Sequence, residues 1–224
     1  MRKHAKVLGV AIATALALGA LVGAGSAAAS ARVCSTSGTG EACAGSHGKI
    51  YSGPIKATLT ATTNTTEVHA MFQSNFTTTT CTGSTMEGEV TYGTAGTGVV
   101  TSLTFSGCRS SGSSTNNCTF DSNASTTTPW PATWTASGKS DGNGSMDVSN
   151  ITLHYACVIF GSTVNCYYTA ASVNFDVFGS DTTPTIEATA VPLVRESPSS
   201  SFCSEKATWT GRYSIETPSS LFLT

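Results

Sequence analysis

Charge is scarce in this chain. Asp, Glu, Lys and Arg together make up 11 % of its 224 residues, with eleven basic side chains against thirteen acidic ones. The basic residues are scattered rather than clustered, which argues against nucleic acid and anionic membrane as partners. Helical signals are missing too: beyond residue 31 there are no heptads and no apolar face of helical period. The histidines outside the first ten residues are His47, His69 and His154, and no two of them have metal-ligand spacing. After the N-terminal thirty residues no apolar stretch is long enough to cross a bilayer as a helix. No cofactor or metal is expected from this inventory.

The one long apolar run lies at the start. Arg2, Lys3 and Lys6 precede Val7–Val22, and small residues follow up to two A-x-A boxes, Ala27-Ala28-Ala29 and Ala29-Ser30-Ala31. A charged start, an apolar middle and an A-x-A end make a secretory signal peptide. Residues 1–31 are expected to be removed, leaving eight basic and thirteen acidic residues, a net charge of −5. Cys34 follows Ala31-Arg32-Val33 rather than a small-residue box, so no lipid anchor is expected there. The remaining length suits one domain at 49–224 behind a Gly/Ser/Thr-rich segment at 32–48. The product is expected to be a secreted, extracellular monomer with an unidentified ligand. The Ala/Gly-rich signal reads as bacterial. The N-x-[ST] sequons at Asn64, Asn75, Asn117, Asn123, Asn143 and Asn150 are then expected to go unused.

Eight cysteines follow the signal: Cys34, Cys43, Cys81, Cys108, Cys118, Cys157, Cys166 and Cys203. An even count in an exported chain reads as a disulfide framework. Between them, apolar and polar residues alternate with period two, and Gly, Asn, Asp, Ser and Pro clusters separate the runs. Ile55-x-Ala57-x-Leu59 and Trp209-x-Gly211-x-Tyr213-x-Ile215 are clear cases. The polar positions are threonine in strand after strand, a choice that β-propensity explains before any ligand is invoked. The expected fold is an all-β, antiparallel two-sheet sandwich, Ig-like or jelly-roll-like, of nine or ten strands stapled by disulfides.

Register arguments suggest the pairing. A two-residue turn at Gly161-Ser162 sets Phe160 opposite Thr163 and Cys157 opposite Cys166, at a position where Cα atoms come closest. A turn at Gly93–Gly96 sets Cys81 opposite Cys108 and Val90 opposite Val99. The cysteines then fall on the wrong face unless bulges near Gly83 and Gly107 re-aim them. Cys34–Cys43 is the local choice, within an extended N-terminal loop. Cys118–Cys203 follows by elimination, with Cys108–Cys118 plus Cys81–Cys203 as the competitor.

Candidate chemistry is thin. Ser140–Asp147 has oxygen donors at alternate positions like a calcium loop, but Met146 and Thr152 stand where Gly and Glu are needed, so it reads as a turn. Glu87 and Glu89 share one strand face rather than flanking a cleft. Pro129-Trp130-Pro131-Ala132-Thr133-Trp134 offers the best binding candidate, with Trp130 and Trp134 either stacking on a ligand or filling the core. The stretch Cys81–Cys108 ending Ser102-Leu103-Thr104-Phe105-Ser106-Gly107-Cys108 and the ending Cys203-Ser204-Glu205-Lys206-Ala207-Thr208-Trp209-Thr210 resemble uncharacterised secreted proteins of actinobacteria. The likeness spans most of residues 50–224; its motifs are structural and imply no activity or functional residues. The functional expectation is a non-enzymatic binding or surface-interaction module for glycan, cell wall or protein. A hydrolase with an unrecognised site, or an inhibitor or toxin presenting the Arg109–Asn117 loop, are the alternatives.

Overall fold

The computed structural model describes residues 31–61, 70–75, 77–91, 96–113, 115–121 and 129–224. Residues 1–30 of the expected signal segment, His69, Asn64, Asn123 and the tip of the Gly93–Gly96 turn before Gly96 lie outside them. Among the described residues there is no α-helix, and the strands run β1 (Val33–Ser35), β2 (Lys49–Ile50), β3 (Gly53–Thr60), β4 (Ala70–Ser74), β5 (Thr78–Val90), β6 (Thr97–Ser110), β7 (Cys118–Asp121), β8 (Trp130–Ala136), β9 (Gly144–Ile159), β10 (Ser162–Phe178), β11 (Thr185–Glu196), β12 (Lys206–Thr217) and β13 (Phe222–Leu223). The all-β antiparallel class expected from the alternating pattern is what the chain adopts.

Ten strands form one antiparallel ladder, and its ends meet. At one level the circuit runs β3, β5, β6, β8, β9, β10, β11, β12 and back to β3; at the other, β4 and β7 replace β3 and β8. The sandwich-like body therefore has no break dividing it into two separate sheets, and closure leaves few free edges for stray pairing. Inside lies one apolar cluster centred on Phe72, Phe105, Trp209 and Phe175, whose rings lie 5–6 Å apart in edge-to-face and stacked contacts.

Three mid-strand residues with positive φ keep the apolar side chains inward along these long strands. Gly107 (61°) on β6, Asn150 (59°) on β9 and Ala190 (48°) on β11 each mark a switch of the buried face. On β6 the buried positions pass from Phe105 to Cys108, and on the facing β5 from Cys81 to Ser84. The cysteines are re-aimed near Gly83 and Gly107 as expected, but at the positive φ of Gly107 and without a bulge, since the register there is unbroken. The register shift on this ladder lies between Glu87 and Gly88 and sets Val90 opposite Gly98, not the expected Val99.

The disulfides are Cys34–Cys43, Cys81–Cys108, Cys118–Cys157 and Cys166–Cys203. Two expectations fail. The β9–β10 turn is centred on Phe160-Gly161, both with positive φ, as a type I′ turn requires. Ile159 then faces Ser162, Cys157 faces Val164 and Cys166 faces Tyr155, so a Cys157–Cys166 bridge has no register to form in. Cys157 lies opposite Cys118 on β7 instead. Cys203 is taken by Cys166, which also removes the Cys118–Cys203 bridge.

The N-terminal segment also differs from the expected loop. Val33 and Cys34 are buried, and β1 is sandwiched between β2 and β13 in a small antiparallel sheet. Its Cys34–Cys43 bridge is followed directly by a single 3-10 turn at Ala44–Ser46. His47 stacks on Phe222 at 4.3 Å, tying this flap to the C-terminus.

A candidate ligand cleft beneath the serine-rich loop

The connection from β11 to β12 crosses the end of β10 as the loop Ser197–Glu205. Four Ser residues precede Phe202 in this stretch together with Pro198, a composition with little to bury and a choice of hydroxyls to bond. The loop is held rather than free. The Cys166–Cys203 bridge pins its far end to β10. Ser199 clasps Tyr167 twice, its hydroxyl accepting from the Tyr167 N–H (2.9 Å) and donating to the Tyr167 carbonyl (3.1 Å). Ser200 N–H donates to the Asn165 carbonyl, and the Arg195 guanidinium donates to the Cys203 carbonyl at 2.6 Å. From within the core, the Tyr168 hydroxyl donates to the Ser204 carbonyl at 2.9 Å.

Between this loop and the turn that carries Asn75 opens a cleft of about 830 Å³. Asn75, Arg195, Glu196, Ser197, Ser204 and Glu205 line it. Ser204 is 4 % exposed, and its hydroxyl oxygen is buried with no hydrogen-bond partner among the described residues. An unpaired buried hydroxyl costs about 1–3 kcal/mol, and this one is covered by the protein rather than open to the cleft. Phe202, between the lining residues Ser201 and Cys203, is 77 % exposed and borders a second, smaller cavity rather than the cleft. The site can thus offer hydroxyl, amide, carboxylate and guanidinium groups, with one exposed ring at the neighbouring position of the loop.

The sequence-derived candidates fall elsewhere. Trp130 and Trp134 on β8 are 0 % and 3 % exposed and point into the core, so neither ring is presented as a stacking platform. His154 lies on the outer face of β9, stacked on Tyr167 at 4.2 Å, with Nε2 3.2 Å from the Asn165 side-chain oxygen; it does not line the cleft. Glu87 and Glu89 are exposed on β5 and face Lys56 and Pro54 of β3. Asp141 closes the β8–β9 turn, accepting from the Asn143 N–H and the Ser137 hydroxyl. These bonds, led by the Asn143 amide, hold its carboxyl below the usual carboxylate range. No group of His, Cys, Asp and Glu among the described residues could hold a metal ion. The Arg109–Asn117 loop is fastened at its base: the Asn117 side chain accepts from the Ser110 N–H and donates to the Ser110 hydroxyl and the Val158 carbonyl.

The cleft itself was hidden in the sequence, where Ser197–Ser201 reads as a flexible stretch. The available signal was Phe202, a large apolar residue inside a polar loop directly before a bridged cysteine. No protein family, curated protein or solved structure matches this chain.

Proposed function

We propose that this is a secreted, non-enzymatic binding module whose ligand is a polyhydroxyl compound, a glycan of the cell surface or its surroundings, held in the cleft beneath Ser197–Glu205. The disulfide-rich all-β body, with no helix among the described residues long and apolar enough to cross a membrane, is compatible with an extracellular protein. The observation that carries the reading is the cleft itself, a recess lined by Asn75, Arg195, Glu196, Ser197 and Glu205. Sugar hydroxyls both donate and accept, which suits a wall of Ser, Asn, Glu and Arg groups. An exposed ring such as Phe202 suits the apolar C–H face of a pyranose. Because the loop is already fastened, little ordering entropy is lost on binding.

A screen of the folded protein against immobilised glycans and peptidoglycan fragments tests this. Retention on at least one polysaccharide, weakened tenfold or more by Phe202→Ala, is the expected result. Failure to bind any member of such a panel would contradict it.

A further inference from the structure

The two A-x-A boxes overlap, so the sequence permits cleavage after Ala29 or after Ala31. The fold distinguishes them, because Ala31 is already part of it. Ala31 is 1 % exposed. Its N–H donates to the Trp134 carbonyl at 3.2 Å, and Trp134 in turn donates its N–H to the Gly96 carbonyl at 2.6 Å. Gly96 is packed so closely on the Ala31 carbonyl that a Cβ there would collide with it, and its φ of 47° suits glycine. One residue on, Arg32 and Thr224 exchange backbone hydrogen bonds of 2.8 and 3.1 Å, joining the two ends of the folded chain.

A chain starting at Arg32 keeps the Thr224 contact, since its new ammonium still donates. It loses the Ala31 N–H bond to Trp134 and the buried methyl, and leaves a hollow against Gly96. We propose that the processing site is the Ala29–Ser30 peptide bond, so that the mature protein begins Ser30-Ala31-Arg32; this rests on the export reading above. Hydrolysis places the hydroxyl of water on the Ala29 carbonyl carbon, giving a carboxylate, and protons on the released Ser30 nitrogen. Cleavage acts on the unfolded exported chain, before Ala31 is covered.

N-terminal sequencing and intact mass of the protein secreted by a bacterial host carrying the full chain test this. A start at Ser30 is expected. A start at Arg32 overturns the proposal while leaving export intact, whereas a product retained in the cells with Met1 overturns the export reading itself. An Ala27→Asp variant gives a second readout, because Ala27 belongs to the first box alone and a charged residue there blocks it while leaving Ala29-Ser30-Ala31 intact. If its product begins at Arg32, it should melt about 3–7 °C below the native protein, from one lost hydrogen bond and one lost buried methyl. An Arg32 product melting at the native temperature would refute the structural role given to Ala31.

Discussion

Cys108 and Cys118 stand opposite one another across β6 and β7, yet each is bonded outward, Cys108 to Cys81 on β5 and Cys118 to Cys157 on β9. Four cysteines thus form one row across four neighbouring strands, and two bridges staple it in halves. A peptide map under non-reducing conditions should recover Cys118 with Cys157 and Cys166 with Cys203. Replacing Cys118 and Cys157 together by Ala should lower stability by about 4 kcal/mol, as the chain-entropy account gives for a loop of this span. Denaturant unfolding measures it.

Trp130 and Trp134 are core residues, and their substitution should act on stability alone. Trp130→Ala should cost about 3–5 kcal/mol, the usual range for emptying a site of that size. Trp134→Phe should cost less and leave glycan retention unchanged. Thermal melting paired with a retention assay separates this from a binding role.

Ser204 should show the opposite pattern. Its hydroxyl is buried without a partner, so Ser204→Ala should leave the ligand-free protein as stable as before or up to about 1 kcal/mol more stable. Denaturant unfolding of the two proteins measures it.

Buried phenols set an alkaline limit. Tyr155 and Tyr213 are raised well above the usual phenol range by burial, and Tyr168 and Tyr51 are raised by the same cause. The folded state therefore holds these protons after the unfolded chain has released them. Their contribution is intact below the unfolded value near pH 10 and is lost as pH rises above it. Melting temperature should be flat in this respect from pH 7 to about 9.5 and fall beyond. Tyr213→Phe should blunt that fall, though it forgoes the 3.1 Å contact with Ser84.

Much of the fold was legible because alternation and β-branched residues mark strands directly. Ile55, Ala57, Trp209, Tyr213 and Ile215 all face inward as their period-two pattern requires. The turn at residues 160–162 shows where legibility ends. Moving a hairpin register by one residue reverses every side chain, but moving it by two leaves every side chain on its own face. Centring the turn on Phe160-Gly161 rather than Gly161-Ser162 is such a two-residue move. Burial of Cys157, Val164 and Cys166 is equally satisfied by both, and only contact with β7 and the Ser197–Glu205 loop settles the partners. The closed circuit was unreadable because β3–β12 and β6–β8 join segments whose sequences carry no mutual mark, whereas β5–β6 was legible from its turn, with Cys81 opposite Cys108 as expected. The cleft depends on a loop fastened from outside itself, by Cys166, Tyr167 and Tyr168.

The most direct test of the binding account is chemical-shift mapping with the oligosaccharide that best competes in the glycan screen. Titration into the labelled protein should move amides of Asn75, Arg195–Glu196 and Ser199–Glu205, with residues of β8 unmoved. Perturbations confined to the outer face around His154 and Tyr167, or to β8 around Trp130 and Trp134, would contradict it.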